Sequence, residues 1–370
     1  MLKKILMTAD TLGGVWTYAI ELCRALRPYG VEVALATMGQ PLSAAQQQET
    51  RGLQNVQVFE SAFRLEWMDE PWEDTQRAGA WLLKLRDRFQ PDLIHLNGYV
   101  HGALSWNLPM LIVGHSCVFS WWQAVNGELP PLHWNRYRAE VTRGLKAATK
   151  VVAPSNTMLA SLSELYGPLA STAVIPNGRD PEHFRVAKKM PIILSAGRLW
   201  DPAKNVAALV EIGDQLSWPL HLAGENRFES HDAELPSKTG NATRRLRYLG
   251  HLSFRDLADW MAQASIFVLP ARYEPFGFTV LEAAFSGCAL VLGDIASLRE
   301  NWDGAAVFVC ADDRAQMREV LEEIIRDPQL LQDLGRRARE RAQQFTADRM
   351  AGTYMQTYEA LCDSFSFITR

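Results

Sequence analysis

With 370 residues the chain is too long for one ordinary hydrophobic core, so two domains are expected. A hydrophobic content of 48% against 22% charged residues is that of a globular chain and excludes a disordered or fibrous one. The formal net charge of −4 gives no basis for nucleic-acid binding, and no run of about 18 apolar residues is present to span a bilayer as a helix.

The five cysteines, Cys23, Cys117, Cys288, Cys310 and Cys362, are odd in number and scattered. They form no metal-ligand spacing, which suits a reducing, cytoplasmic setting better than a disulfide framework. The start, Met1-Leu-Lys-Lys-Ile-Leu-Met-Thr-Ala-Asp10, has the basic-then-apolar order of a signal peptide. Its apolar part is too short and runs into a Gly-rich turn, so it reads as a first strand.

Ile5-Leu-Met7 is that strand, followed by Thr11-Leu-Gly-Gly-Val-Trp16 and a helix burying Val15, Ala19, Leu22 and Leu26. Val31-Glu-Val-Ala-Leu-Ala36 is the next strand, and the resulting βαβ opening predicts a parallel, doubly wound sheet. Strand signals continue at Val56-Gln-Val-Phe59, Leu93-Ile-His95, Met110-Leu-Ile-Val113 and Val151-Val-Ala153, with helical periodicity around residues 75–89 and 134–148. The turn-rich Ile175-Pro-Asn-Gly-Arg-Asp-Pro181 marks a boundary, giving domains at 1–175 and 176–346. The second series has strands at Ile192-Ile-Leu-Ser-Ala196, Leu220-His-Leu222, Arg247-Tyr-Leu249, Ile266-Phe-Val-Leu269, Leu290-Val-Leu292 and Ala306-Val-Phe-Val309. Residues 312–326, 329–344 and 347–363 are helical with no strand between them, and Arg336-Arg-Ala-Arg-Glu-Arg341 reads as a solvated helix face. Two such domains are expected to face each other across a cleft at the carboxyl ends of their strands, where open α/β sheets hold ligands.

Four strand ends carry chemistry. Ser265-Ile-Phe-Val-Leu-Pro270 runs through Glu274, Pro275 and Gly277 into a helix with Phe278, Leu281, Glu282 and Phe285 on its apolar spacing. A Gly-containing strand-to-helix turn aims free N–H groups outward, a seat for phosphate. Glu274 and Glu282 either face a ligand there or are solvated acids on a capped helix. Gly197-Arg-Leu-Trp-Asp-Pro-Ala-Lys-Asn205 places Arg198 and Lys204 in one turn, a planar fork and a point charge suited to pyrophosphate or simply exposed to water. Gly13 and Gly14 allow a close approach to a ligand but form neither a dinucleotide fingerprint nor a Walker lysine motif. His115 follows the strand Met110-Leu-Ile-Val-Gly114, at a strand end that suits a site as well as a structural histidine.

Glu274-Pro-Phe-Gly-Phe-Thr-Val-Leu-Glu282 resembles the E-x7-E motif of retaining GT-B glycosyltransferases of family 4. Leu12-Gly-Gly-Val15, Ala153-Pro-Ser155, Val174-Ile-Pro-Asn-Gly178, Ala196-Gly-Arg-Leu199 with Lys204, and Leu222-Ala-Gly-Glu225 agree with that family in order and spacing. Asn205 departs from a frequent Gly, and Glu225-Asn226 from an acid-glycine pair, which bears on nucleotide or sugar preference more than on reaction class.

The resemblance implies a GT-B fold with a nucleotide-sugar donor in the C-terminal domain and the acceptor on the N-terminal domain. The N-terminal domain would be completed by a helix crossing back over about 347–370. By the same resemblance Arg198 and Lys204 neutralise the diphosphate, and Glu282 receives the ribose hydroxyls. Glu274 would hold the sugar, with backbone N–H groups of Gly277, Phe278 and Thr279 at the helix start and Gly13 and Gly14 opposite. His115 would contact the transferred sugar. Retention of configuration, no metal and no resident cofactor are implied as well, with UDP the first expectation for the nucleotide.

Two acids in one loop-helix unit suit a glycoside hydrolase poorly, since its acids must flank one bond. A sugar-nucleotide epimerase and a nucleotide-sugar-binding protein without turnover remain alternatives. For the acceptor (a glycan, a lipid-linked sugar or a small molecule) the sequence offers Trp121 and Trp122, in a stretch that reads as loop beside Asn126-Gly127 and Pro130-Pro131. They form either a stacking wall or core. Arg136, Arg143, Lys146 and Lys150 read as one helical stripe, facing water or touching anionic headgroups at the inner face of a membrane. Residues 1–180 carry 16 basic and 16 acidic side chains, so no domain-wide field supports membrane contact. Oligomeric state has no signal in the sequence.

Overall fold

The computed structural model describes residues 2–225 and 245–368. The chain divides into two compact units, Met1–Gln123 with Glu128–Gly178 and Ala347–Arg370, and Ala124–Gly127 with Arg179–Thr346.

The first unit contains β1 Lys4–Asp10, α1 Gly14–Leu26, β2 Glu32–Met38, α2 Ala44–Arg51, β3 Val56–Glu60, α3 Trp72–Phe89 and β4 Leu93–Leu96. It continues with β5 Met110–Val113, the greater part of α4 Val118–Asn126, α5 Asn135–Ala147, β6 Lys150–Ala153, α6 Asn156–Tyr166 and β7 Thr172–Val174. The second contains β8 Met190–Ala196, α7 Val206–Ile212, β9 Leu220–Ala223, β10 Leu246–Gly250, α8 Phe254–Gln263, β11 Ala264–Leu269 and α9 Phe278–Phe285. There follow β12 Ala289–Gly293, α10 Ala296–Trp302, β13 Val307–Val309, α11 Arg314–Arg326 and α12 Pro328–Ala342, and the last helix is α13 Ala347–Ile368.

Among the described residues, one sheet has the order β3-β2-β1-β4-β5-β6-β7 and the other β10-β9-β8-β11-β12-β13. Every pairing between these strands is parallel. The central strands β4, β5, β11 and β12 are buried along their whole length, which is why they read as unbroken apolar runs. Strand order reverses between β1 and β4 in the first sheet and between β8 and β11 in the second. The loops leaving a reversal diverge to opposite faces and open a crevice at the carboxyl ends of the strands. The loops after β8 and β11 are those that carry Lys204 and Glu274.

The expected one-faced burial of α1 is incomplete. Trp16, Tyr18, Ile20 and Cys23 are buried along with Ala19, Leu22 and Leu26; α13 packs beside the helix, its Tyr354 meeting both Tyr18 and His95 of β4. Tyr354 and Tyr358 of α13 are fully enclosed there. The C-terminal helix is therefore a structural part of the first unit.

Two local expectations are corrected. Trp121 and Trp122 lie on α4, not in a loop; no proline falls within Val118–Asn126, and Gly127, at φ +72°, ends the helix. The four-cation stripe does not form either. Lys150 starts β6 and donates to Ser171 Oγ (3.0 Å), Arg143 pairs with Glu140, and Arg136 lies over the Trp72 ring at 4.6 Å.

Burial leaves its mark on titration. It pushes His95 and His115 down to about 3 and His101 to about 4, from an ordinary 6.5. It lifts Glu66 from 4.5 to about 7, against the pull of the Tyr99 and Val100 N–H groups it accepts. Below pH 6.5 the unfolded chain binds protons that these desolvated imidazoles refuse, so their contribution is complete above 6.5 and is lost on acidification. Glu66 runs the other way, its contribution complete below 4.5 and lost as pH rises through about 7. The histidines outnumber it, each acting at about 1.4 kcal/mol per pH unit. Thermal unfolding followed by circular dichroism should therefore give a higher Tm near pH 6.5 than near pH 5; equal values would overturn this account.

Candidate active site

β8 ends at Ala196, and Gly197 turns the chain away from the sheet. Asp201 is almost fully buried and its Oδ1 accepts the Ala203 N–H at 2.9 Å, starting a short turn that carries Lys204. Its other oxygen pairs with Arg198 at 2.8 Å. The Arg198 guanidinium lies over the Trp200 ring at 5.4 Å. Asn205 follows at φ +55°, a left-handed position where Gly is usual and Asn tolerated, which accounts for the departure in the sequence. The Asn205 amide does further work, donating to Ala311 O and accepting from the Arg272 guanidinium, both at 2.6 Å.

The loop after β11 docks onto this turn. The Arg272 N–H donates to Ala203 O at 2.8 Å, and the Glu274 carboxylate pairs directly with the Lys204 ammonium. Both side chains of that pair are only 14% exposed, so the two charges compensate each other in a mostly dry setting. Ser297 of α10 donates to Glu274 O at 2.7 Å and holds the loop from the other side. Gly277, at φ +92°, then starts α9 with no side chain capping its first N–H groups, so Phe278 and Thr279 sit at an amide-rich helix end.

Glu282, one turn into α9, is 6% exposed and faces Arg179, whose Nε lies 2.9 Å from its carboxylate. Arg179 is itself buried, with the Phe254 and Phe184 rings at 4.8 and 5.5 Å from its guanidinium. Glu274 and Glu282 are thus neither solvated acids nor a pair of free carboxylates: each is held by its own cation. Asn226 lies outside the described residues. Among the described residues no group of three or more His, Cys, Asp or Glu has a metal-binding arrangement, and no helix is long and apolar enough to cross a membrane.

In the first unit, Gly13 at φ +81° precedes α1, whose start at Gly14 also has no side-chain cap. His115, two residues past β5, is partly exposed, and Nε2 of its ring lies 2.9 Å from Asn97 Oδ1. Trp121 and Trp122 stand edge-on at 6.1 Å. Sequence reasoning missed Asp201, Arg179, Arg272 and Asn97. Asp201 before Pro202 was detectable as a helix-start signal, and Asn97 as a polar residue at the end of a buried strand. Nothing in the sequence pattern announces Arg179 as the partner of Glu282, 103 positions away.

The sequence matches the profile of Glycosyltransferase Family 4 over residues 12–183 and that of Glycosyl transferases group 1 over residues 190–327. Glycogen synthase of Mycobacterium tuberculosis is 30% identical over 296 residues, covering 74% of this chain and 69% of that protein. The chain belongs to glycosyltransferase family 4. Among solved structures this glycosyltransferase resembles sucrose-phosphate synthase from Thermosynechococcus elongatus, with a TM-score of 0.83, 19% identity, and 98% and 100% of the two chains covered. Anabaena HepE, solved in complex with UDP and glucose, follows at a TM-score of 0.79 and 17% identity, with 97% and 100% covered. These likenesses carry the fold, two Rossmann-like domains of the GT-B type. The transferase class displaces the hydrolase, epimerase and non-catalytic alternatives.

The turn after β8 of this glycosyltransferase depends on one close backbone approach. Gly224, at φ +139°, sits so near Gly197 that a Cβ there would lie 1.7 Å from Gly197 O. Gly224→Ala must push the β8 end aside. It should cost about 3 kcal/mol or more in urea unfolding, the scale of a buried steric and backbone conflict. An unchanged midpoint would show that the two strand ends can separate freely.

Proposed function

We propose that the second unit binds a nucleoside-diphosphate α-sugar, with UDP as the nucleotide, and that the sugar passes with retention of configuration to an acceptor hydroxyl on the first unit. The observation that carries this reading is the Lys204–Glu274 pair at the β8/β11 reversal, beside the uncapped start of α9. A cation, a carboxylate and free amides at one crevice suit a ligand that is anionic at one end and hydroxylated at the other. The complex of Anabaena HepE with UDP and glucose supports the choice of nucleotide.

On this reading Lys204 and Arg198 neutralise the diphosphate, with the N–H groups of Gly277, Phe278 and Thr279 and the Gly13–Gly14 turn as further donors. Glu274 accepts sugar hydroxyls through oxygen left over from Lys204, and Glu282, paired with Arg179, accepts those of the ribose. His115 receives a hydroxyl of the transferred sugar. Trp121 and Trp122 offer apolar faces to the acceptor. The acceptor oxygen bonds to the anomeric carbon on the leaving-group side. The bond from that carbon to phosphate breaks with its electron pair on the diphosphate, which takes up the hydroxyl proton. Because side-chain cations and amides meet the charge that develops there, the reading needs no metal and no resident cofactor.

Thermal shift with UDP-, GDP- and ADP-sugars tests the donor half without an acceptor. UDP-sugars should stabilise the protein most, and Glu282→Gln should weaken their binding by about 1.5–3 kcal/mol, the scale of hydrogen bonds to a charged group. The glutamine variant is preferable to alanine, which would strand a buried arginine. Equal shifts for all three nucleotides, or wild-type affinity in the variant, would refute the assignment. Lys204→Ala and Arg198→Ala should each lower turnover by roughly two to three orders of magnitude, with EDTA leaving the wild type unaffected.

A further inference from the structure

Asn97 leaves β4 at the reversal of the first sheet, and its amide orientation is settled by Thr8. Its N–H donates to Thr8 Oγ1 at 2.9 Å and its Nδ2 donates to the Thr8 carbonyl at 2.7 Å. A backbone carbonyl only accepts, so the nitrogen of the amide must face Thr8 and the oxygen must face away. That oxygen lies 2.9 Å from Nε2 of His115 and 3.2 Å from Nε2 of His95. An amide oxygen also only accepts, so each ring must carry its hydrogen on Nε2. Both imidazoles are neutral, burial holding them at about 3, so each has one such hydrogen and a bare Nδ1.

The two bare nitrogens differ in their surroundings. Nδ1 of His95 accepts the Tyr358 hydroxyl of α13 at 2.7 Å. Nδ1 of His115 has no hydrogen-bond partner among the described residues, while Tyr18 steadies the ring edge-on at 4.5 Å. The same chain of bonds therefore leaves one lone pair over, on the residue at the strand end.

We propose that Asn97 is a positioning residue that locks His115 in the Nε2–H tautomer, so that Nδ1 is presented to the sugar as an obligate hydrogen-bond acceptor. The purpose of the lock, though not the lock, rests on the reading of His115 as a sugar contact. His115 then takes a hydroxyl hydrogen from its ligand and offers no proton in return. A sugar carrying fluorine in place of the contacted hydroxyl, an acceptor facing an acceptor, loses that bond.

The full-length chain with 15N-labelled histidine tests this by long-range 1H–15N correlation, with His115→Ala assigning the signal. The wild type near neutral pH should show His115 protonated at Nε2 alone; the Nδ1–H form, or an imidazolium, would overturn the proposal. Asn97→Ala should release the ring into a mixture of tautomers and lower kcat/KM about tenfold, one hydrogen bond's worth. Tyr358→Phe, which removes a hydroxyl bonded to His95 and not to His115, should leave the His115 signal unchanged. A fully retained Nε2–H form in folded Asn97→Ala would show that Asn97 is not the lock. Unaltered turnover in His115→Ala, with the Nε2–H form seen in the wild type, would overturn the sugar contact and leave the lock standing.

Discussion

The Lys204–Glu274 ion pair joins the two strand ends at which the second sheet reverses, and the rest of the candidate donor site is arranged around it. A lysine and a glutamate this enclosed must compensate each other, and doing so fixes the turn after β8 against the loop after β11. The same logic recurs on either side, with Arg198 on Asp201 and Arg179 on Glu282. Each cation of the site already holds a carboxylate, so on the proposed function a diphosphate would enter an arrangement of charges that is in place beforehand. Preorganisation of this kind spares the reaction the cost of turning dipoles and ions as charge develops.

The first unit solves a different problem with different means. At its own reversal, between β1 and β4, the polar residues form neutral hydrogen bonds among Thr8, Asn97, His95, His115 and tyrosines. Hydroxyl groups are recognised by the direction of donors and acceptors, and neutral groups of defined orientation do this without the desolvation cost of buried ions.

Much of this was legible in the sequence. Fully buried parallel strands announce themselves as Val/Ile/Leu runs, and glycines at their ends mark where the chain turns toward a ligand. Glu274, Lys204 and Arg198 follow from those positions. What the sequence concealed is pairing. Arg179 lies in a turn-rich segment that reads as a linker, and only the fold brings it under α9. Trp121 and Trp122 read as loop because their flanks are rich in turn residues and two adjacent indoles have no 3.6-residue period. Lys150 continued a helical spacing that the backbone had already abandoned at Ala147.

α13 follows the second unit in the chain but belongs to the first. During synthesis the second unit emerges whole while α1 still has one apolar face open, because Tyr354 and Tyr358, which cover it, lie beyond residue 346. Domains commonly fold in the order they leave the ribosome. Here the amino-terminal unit cannot reach its final packing until the whole second unit has been made, and a chain cut short before residue 347 would expose the bare side of α1 to chaperones and proteases.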